Sequence, residues 1–428
     1  MTLKEYPVWI EGVSFPREPA GQALPARVDV AIIGAGYTGL AAARELARRG
    51  ARVAVLEART IGWGASSRNG GMVLSGLKLE AHDLAARYGM AAARRMFAAS
   101  LASIDWVEQV VREEAIACDF RRSGHVLVAS KPAHFRMFER EATLLAREFG
   151  HATRLLPPSE LRAEIGSGAY HGGLLDEVSA GLNPARYVAG LGHAAARAGA
   201  LLFERAEVRR LARQGGGWRV YSARGKLQAD RVLAAGGAYT GGFAPRLQRR
   251  IVPLGSYIIA TAPLPEGLAH ELIAHDRMVF DSKRLLCYYR LTPDRRMLFG
   301  GRARFFPESP RMVRESAAVL RHQMEQVFPQ LRGVPAEYAW GGTLDATFDL
   351  MPHAGQHDGL HYAIGYAGHG VAMASYLGAQ LGAQLAGAPS ENPFDGLPFP
   401  GAPPGLYGRR PWLLPLAGAW YRLLDWLA

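Results

Sequence analysis

Three glycines and one acidic residue near the start of the chain have the spacing of a dinucleotide-binding site. Gly34, Gly36 and Gly39 form the pattern G-x-G-x-x-G, and Glu57 follows 18 positions after Gly39. Glycines in this pattern permit a tight turn, close approach of backbone to a pyrophosphate, and close packing of a helix on a strand. An acid at the position of Glu57 would accept a hydrogen bond from the adenosine ribose. The residues of this segment expected to bind the dinucleotide are Gly34, Gly36, Tyr37, Thr38, Gly39 and Glu57.

The hydrophobic patterns around these residues predict a βαβ unit. Residues 28–33 are apolar and β-branched, which predicts a buried strand, and residues 38–49 form an Ala-rich helix that ends at Gly50. Residues 52–56 predict a second strand, which ends at the acid Glu57. The pyrophosphate would lie at the helix N-terminus, and a carboxylate beside the ribose disfavours the 2′-phosphate of NADP. The alternative is a chance glycine-rich turn within a parallel sheet.

Composition sets limits on the class of protein. The 428 residues suffice for two domains or three, and 49% of them are hydrophobic. The net charge is +12, but only 5 of the 50 basic residues are lysines and they form no block, so we expect no nucleic-acid partner. Cys118 and Cys287 are too few for a disulfide framework, and no metal site is expected, which suits a reducing cytoplasm. No signal peptide and no run of 18 apolar residues is found in the sequence.

A glycine- and serine-rich stretch, IGWGASSRNGG, follows the acid at residues 61–71. This composition predicts a loop that folds around a ligand, with Ser66, Ser67 and Asn69 as donors and Arg68 near a phosphate or a ring edge. An ordinary surface loop is the alternative. The residues expected to bind the cofactor in and before this loop are Ala58, Arg59, Gly64, Ala65, Ser66, Arg68, Asn69, Gly70 and Gly71.

The combination of GAGYTGL, the acid at Glu57 and GASSRNGG resembles the D-amino-acid oxidase-like FAD-dependent amine oxidoreductases. Within them it is most similar to enzymes of the γ-glutamylputrescine oxidase type. The resemblance implies FAD as the cofactor and an α/β fold with a doubly wound, mostly parallel FAD-binding sheet. It also implies an α+β second domain, whose large antiparallel sheet covers the flavin.

This architecture predicts a discontinuous arrangement of domains along the chain. The expected segments are an N-terminal arm at 1–27, an FAD-binding domain at 28–90, 151–245 and 338–388, a substrate domain at 91–150 and 246–337, and a C-terminal tail at 389–428.

Further cofactor contacts are implied by the resemblance in two other glycine-rich segments. One is AAGGAYTGG at residues 234–242, where a strand ends at the edge of the sheet. The other is the segment 360–387, where a glycine loop precedes a helix and would meet the pyrimidine end of the flavin. The residues expected to contact FAD from these and neighbouring segments are Val208, Gly236, Gly341, Gly365, Gly368, His369, Gly370 and Val371.

Three residues are the candidates for a catalytic role. His369 lies in the second glycine loop, where a structural role is the alternative. Tyr257 and Arg302 lie in alternating strands of the second domain, and one face of these strands would cover the flavin. For each of them, a place on the other face of the sheet is the alternative.

The number of predicted nucleotide-binding motifs indicates a reaction type. A second G-x-G-x-x-G after a strand is absent from the sequence, so the substrate itself would reduce the flavin, and oxygen or another acceptor would reoxidise it. The resemblance selects oxidation of a C–N bond in a primary or secondary amine, including a γ-glutamylated polyamine. No cysteine lies in the segment that sarcosine-type enzymes use to attach the flavin, so FAD is expected to be non-covalent.

The same resemblance narrows the substrate. Amino-acid oxidases hold the substrate carboxylate with arginines, where this chain has Leu344 and Gly368, and sarcosine oxidases use a lysine where it has Ala372. A carboxylate buried without a cation is unfavourable. A simple amino acid is therefore disfavoured unless Arg302 or Arg304 replaces these residues. Asp345 and Asp349 could attract a polyamine-like cation, or they could cap loops.

The C-terminal tail leaves other functions open. Trp412, Trp420 and Trp426 lie among leucines and arginines, which suits either a peripheral membrane contact or a helix docked on protein. A membrane-associated amine or amino-acid dehydrogenase that passes electrons to a quinone is thus one alternative. A tRNA-modifying flavin oxidase and a non-catalytic flavin-binding protein are alternatives of other classes.

Overall fold

The computed structural model describes residues 3–19, 21–301 and 309–402. The strands in chain order are β1 (Arg27–Ile33), β2 (Val53–Leu56), β3 (Met72–Val73), β4 (His125–Val128), β5 (Arg154–Leu156), β6 (Gly173–Asp176), β7 (Ala180–Gly181), β8 (Leu201–Phe203), β9 (Val208–Gln214), β10 (Gly217–Ser222), β11 (Gly225–Ala234), β12 (Ile251–Thr261), β13 (Met278–Asp281), β14 (Cys287–Leu291), β15 (Met297–Gly301), β16 (Ala336–Thr347), β17 (His353–His357) and β18 (Leu360–Ile364). The helices are α1 (Tyr37–Arg48), α2 (Ala81–Tyr88), α3 (Met90–Glu113), α4 (Pro132–Glu148), α5 (Pro158–Glu164), α6 (Pro184–Arg197), α7 (Pro245–Gln248), α8 (Glu266–Leu272), α9 (Pro310–Val327) and α10 (Gly370–Leu385).

The first sheet contains the predicted βαβ unit. Its eight strands follow the order β17-β18-β11-β1-β2-β8, with β10 and β9 added beside β11. The strands β18, β11, β1, β2 and β8 are parallel, whereas β17, β10 and β9 pair in antiparallel fashion. This confirms the predicted mostly parallel sheet.

Two cores cover the faces of this sheet. On one face, alternate residues of β1 such as Val30 and Ile32 pack with α1, α3, α6 and α10. On the other face, Ala31 and Ile33 pack with the ribbon of β9 and β10, including Trp218. Burial on both faces explains why β1 and β2 are almost continuously apolar.

The second sheet is mostly antiparallel, as predicted. Its eight strands follow the order β16-β12-β15-β14-β13-β4-β6-β5, and β13 with β4 is the parallel pair. Its outer face packs against α5, α8 and α9, whereas Ile258, Ala260 and Trp340 belong to the inner face. Because side chains of a strand alternate between faces, each strand contributes to both sides.

Three of the predicted domain limits are wrong. The strands β5 and β6, placed with the FAD-binding domain, pair in the second sheet, and so does β16. Helix α3, placed with the substrate domain, packs in the core of the first sheet through Met96, Ile104 and Val107. Short apolar strands and amphipathic helices show which face is buried, but their patterns do not show which partner covers that face.

Helices α1 and α10 approach each other so closely that their backbones touch. A Cβ atom on Gly378 of α10 would lie 2.3 Å from the carbonyl oxygen of Thr38 in α1. One turn later, a Cβ on Gly382 would lie 2.9 Å from the carbonyl oxygen of Ala42. The contact brings the N-termini of both helices, at Tyr37 and Gly370, to the same side of the sheet.

We therefore expect Gly378→Ala to force α10 away from α1. The added methyl would lower the free energy of unfolding by about 1–3 kcal/mol, as overpacking does in other cores, and it would weaken cofactor binding. Urea unfolding and cofactor titration measure both effects. Gly267→Ala in α8 is the control, because its Cβ would meet nothing within 4 Å. Equal behaviour of the two variants would contradict the importance of this contact.

Candidate active site

A cavity of about 510 Å³ lies at the carboxyl ends of β1, β2 and β11, and the end of β16 forms part of its wall. In open α/β sheets, this edge is where ligands bind. The predicted cofactor residues that line the cavity are Gly34, Gly36, Tyr37, Thr38, Glu57, Ala58, Arg59, Gly64, Ala65, Ser66, Asn69, Val208, Gly236, Gly368, Gly370 and Val371.

The turn between β1 and α1 has room only for glycine at two points. Gly34 has a φ of +108°, and a Cβ there would lie 2.7 Å from the carbonyl oxygen of Ala235. A Cβ on Gly39 would lie 2.0 Å from the carbonyl oxygen of Gly34. The N–H groups of Thr38 and Gly39 make no hydrogen bond to any described residue. The helix therefore presents donors and the positive end of its dipole, which suits a pyrophosphate.

Glu57 ends β2 with its carboxylate at the cavity. Its Oε2 accepts from the N–H of Ala35 at 2.8 Å, and its Oε1 accepts from the N–H of Arg59 at 2.8 Å. Burial raises the pKa of Glu57, and these N–H groups oppose that rise. Each carboxylate oxygen can accept more than one hydrogen bond, so a ribose hydroxyl can still be bound.

The loop at residues 61–71 is cross-linked by its own side chains. Ser66 Oγ accepts from the N–H of Tyr37 at 3.1 Å, which ties the loop to the start of α1. Asn69 donates from Nδ2 to the carbonyl of Ala65 at 3.0 Å and accepts through Oδ1 from the N–H of Gly71 at 2.8 Å. These contacts favour the ligand-binding interpretation over an ordinary surface loop.

The second glycine loop is hydrogen-bonded to β16 of the second sheet and to helix α1 of the first sheet. Gly365 has a φ of +91°, and its N–H donates to Asp345 Oδ2 at 2.7 Å. The hydroxyls of Tyr366 and Thr38 are 2.8 Å apart, so the loop is hydrogen-bonded to α1. His369 directly precedes α10 as its N-cap residue. The helix begins at the cavity, where its N-terminus favours negative charge.

Several predicted residues lie beside the cavity and not on its wall; they are Gly39, Arg68, Gly70, Gly71, Gly341, Gly365 and His369. Arg68 joins two elements of the fold. Its Nε donates to the carbonyl of Trp63 at 2.9 Å and its Nη1 to the carbonyl of Gly341 at 3.2 Å. The guanidinium therefore links the loop to β16, and its place near a phosphate or a ring edge stays a prediction.

The three catalytic candidates have different outcomes. Tyr257 packs in the core on the outer face of the second sheet, with α9, so its assignment as a catalytic residue is wrong. Its neighbour Ile258 is the residue that faces inward. Arg302 lies outside the described residues, and so does Arg304. His369 stays a prediction.

Other residues on the wall were not identified from the sequence. Trp63 and Tyr239 line the cavity with their rings 5.5 Å apart in an edge-on arrangement, and Thr343 and Tyr366 line it as well. All four belong to stretches noted for their glycines or for the motif WGGTLD. An aromatic or hydroxyl side chain within such a stretch has no spacing that would single it out.

Comparison with known proteins agrees with this geometry. The model of the family described as FAD dependent oxidoreductases matches residues 29–384 of the 428-residue chain. The chain belongs to this family. A gamma-glutamylputrescine oxidoreductase of Escherichia coli is 33% identical over 400 residues, covering 93% of this chain and 92% of the relative.

Solved structures agree on the fold. Glycine oxidase from Geobacillus kaustophilus superimposes with a TM-score of 0.76 and 24% identity over 88% of this chain and 99% of that one. L-amino acid deaminase from Proteus vulgaris has a TM-score of 0.72 and 18% identity over 89% of this chain and 99% of that one. This protein is therefore an FAD-dependent oxidoreductase by family, with the fold of these enzymes.

The residues on the wall suit FAD. A glycine turn with free N–H groups, an acid that ends β2, and a second helix N-terminus meet in one cavity. Among the described residues, no group of three or more His, Cys, Asp and Glu side chains could hold a metal ion. No helix in the described part of the chain is long and apolar enough to cross a bilayer.

Two acids near the end of β16 have opposite surroundings. Burial raises the pKa of Asp345 to about 6, although the N–H groups of Gly365 and Tyr366 oppose the rise. Burial acts in the same direction on Asp349, but a hydrogen bond of 3.0 Å from His353 leaves the pKa of Asp349 below its usual value. Both contacts are those of loop-capping acids, which was one of the two alternatives.

We expect Glu57→Gln to weaken FAD binding by about tenfold to a hundredfold, because an ionised acceptor is lost from the ribose end of the cavity. The dissociation constant of FAD, measured by titration of the apoprotein, tests this. Glu160→Gln is the control, since Glu160 is exposed and pairs with Arg154 far from the cavity. Unchanged FAD affinity in Glu57→Gln would contradict the assigned role.

The two acids predict opposite pH dependence. A raised pKa in the folded state means that stability from Asp345 is lost as the pH rises from about 4 to about 6. Relative to Asp345→Asn, the parent apoprotein should lose about 3 kcal/mol between pH 4 and pH 7. A lowered pKa has the other sign and acts at lower pH, so the parent should lose stability relative to Asp349→Asn as the pH falls below about 4. Urea unfolding at several pH values measures both differences, and equal signs would contradict the assignment.

Proposed function

We propose that this protein oxidises the C–N bond of a primary or secondary amine, with a γ-glutamylated polyamine as the best candidate substrate. The single observation that carries the choice of substrate is the charge of the cavity wall. Among the described residues of the wall, the cationic ones are Arg59 and Arg209, which lie in the segments of Glu57 and Val208. The part formed by β16 and the second glycine loop has Thr343, Leu344 and Asp345.

This wall disfavours a carboxylate next to the reacting carbon. A carboxylate there would be desolvated beside Leu344 and would face the Asp345 carboxylate without a cationic partner among the described residues. An amine at the end of a long chain has no such group near its reacting carbon. In γ-glutamylputrescine, the carboxylate is at the opposite end from the primary amine. The name of the relative from Escherichia coli supports the same substrate class.

The residues of the chain would bind and orient the reactants. The N–H groups at the start of α1 and the carboxylate of Glu57 would hold the pyrophosphate and the ribose, and the 61–71 loop and the loop before α10 would enclose the ring. When bound, FAD supplies the acceptor for the hydride that leaves the carbon next to a neutral amine. The second sheet would exclude water from that step. The imine product then hydrolyses to an aldehyde and an amine or ammonia.

Non-covalent attachment of FAD is part of the proposal. Cys118 and Cys287 are both free and buried, one in the core of the first sheet and one on the outer face of the second. Neither lines the cavity. Free cysteines are typical of a reducing compartment, which supports a cytoplasmic location. The tail residues 403–428, for which a peripheral membrane contact and a helix docked on protein were the alternatives, lie outside the described residues.

Anaerobic titration of the purified holoprotein tests the proposal. We expect γ-glutamylputrescine and putrescine to bleach the visible absorption of the flavin, and glycine, D-alanine and sarcosine to leave it unchanged. Bleaching by glycine or D-alanine alone would contradict the substrate class and direct attention to Arg302. Air admitted after bleaching distinguishes oxygen from another electron acceptor by the rate at which the absorption returns.

Introducing a charged side chain at Leu344 tests the substrate class in a second way. Leu344→Arg would place a cation on the wall and should slow reduction by putrescine by at least about tenfold, because like charges repel at close range. Leu344→Met is the control of similar volume. If both variants are reduced by putrescine at the parental rate, the substrate does not approach this wall.

A further inference from the structure

The carbonyl groups of the 61–71 loop are held from outside the cofactor cavity by three buried side chains. In loop order, the hydrogen bonds run from Trp340 Nε1 to Arg68 O at 2.9 Å, from Trp9 Nε1 to Asn69 O at 2.9 Å, and from Arg290 Nη1 to Gly71 O at 2.7 Å. All three donors are less than 8% exposed. We call Trp9, Trp340 and Arg290 the carbonyl clamp.

The clamp is assembled from three distant parts of the chain. Trp9 belongs to the N-terminal arm, Trp340 to β16 and Arg290 to β14. Trp9 and Trp340 share a core on the inner face of the second sheet, and the Arg290 guanidinium lies 5.7 Å from the centre of the Trp9 ring. The arm itself is attached to β16 through its main chain. The N–H of Lys4 donates to the carbonyl of Glu337 at 2.8 Å, and the carbonyl of Lys4 accepts from the N–H of Ala339 at 2.9 Å.

The geometry of the peptide bond gives this clamp a consequence for the cavity. In a planar trans peptide, the C=O of one residue and the N–H of the next point in opposite directions. Holding the carbonyls of Arg68 and Asn69 therefore directs the N–H groups of Asn69 and Gly70 away from the clamp. These two N–H groups make no hydrogen bond to any described residue, and Asn69 lines the cavity.

The buried position of the Arg290 guanidinium is energetically unfavourable. The guanidinium is buried, it has no carboxylate within ion-pair distance among the described residues, and it donates to the carbonyls of Gly71, Leu182 and Leu291. Burial lowers the pKa of Arg290 to about 10, so the group stays charged at neutral pH. A buried cation with carbonyls as its partners is unfavourable unless its position is needed.

We propose that the carbonyl clamp positions the 61–71 loop so that the N–H groups of Asn69 and Gly70 serve as donors to FAD. The N-terminal arm is then part of the cofactor site through Trp9. This inference depends on the FAD site and not on the proposed amine, so the failure of an amine to reduce the flavin does not affect it.

Trp9→Phe tests the role of the indole N–H while it keeps an aromatic ring in the core. We expect the dissociation constant of FAD to rise by about tenfold, which is about 1.4 kcal/mol. The reduction potential of the bound flavin should become more negative, because N–H donors stabilise the electron-rich ring. The matched control is Trp218→Phe. Trp218 is also buried, it lies in the ribbon of β9 and β10, and its indole N–H has no hydrogen-bond partner among the described residues.

A second variant keeps the test decisive if Trp9→Phe does not fold. Trp340→Phe removes the donor to the neighbouring carbonyl, and it should shift FAD affinity and reduction potential in the same directions. Urea unfolding of the apoprotein separates a loss of folding from a loss of cofactor binding. If the folded variants bind FAD within about twofold of Trp218→Phe and at the same potential, the side chains only pack, and the inference is overturned.

Discussion

The close approach of α1 and α10 is the constraint on which the cofactor site depends. Gly378 and Gly382 let the backbone of α10 rest on the carbonyls of Thr38 and Ala42, and no side chain with a Cβ atom fits at these points. Each helix carries a partial positive charge at its N-terminus, and the contact places both termini at one cavity. Such a pair of termini can accommodate a dinucleotide that has a charged pyrophosphate at one part and an electron-rich ring at another.

The second sheet contributes to the site mainly through polar contacts with loop backbone. Asp345 of β16 accepts from the N–H of Gly365, and Trp340 of the same strand donates to the carbonyl of Arg68. Arg68 in turn donates to Gly341. One strand thus holds both cofactor loops at defined positions. Because backbone groups buried away from water must be paired, these contacts also explain why the loops can be buried at all.

The balance of charge on the cavity wall links the fold to the chemistry. Glu57 and Asp345 are acids whose pKa values burial raises, and both keep main-chain N–H partners. They lie in different segments of the wall, one after β2 and one in β16. The arginines that line the cavity within the described residues, Arg59 and Arg209, are not in β16 or the second glycine loop. An amine fits this distribution better than an amino acid with its carboxylate at the reacting carbon.

The sequence by itself determined the FAD-dependent family, the mostly parallel sheet and the glycine turn with α1 and Glu57, because these features are close together in the chain and have periodic patterns. Only the tertiary structure decided which face of β12 turns inward, so that Tyr257 lies in the outer core and Ile258 does not. A strand pattern with period two distinguishes two faces but does not name what covers each. The contacts of Trp9 with Asn69 and of Trp340 with Arg68 join residues 60 and 272 positions apart, a separation at which spacing carries no signal.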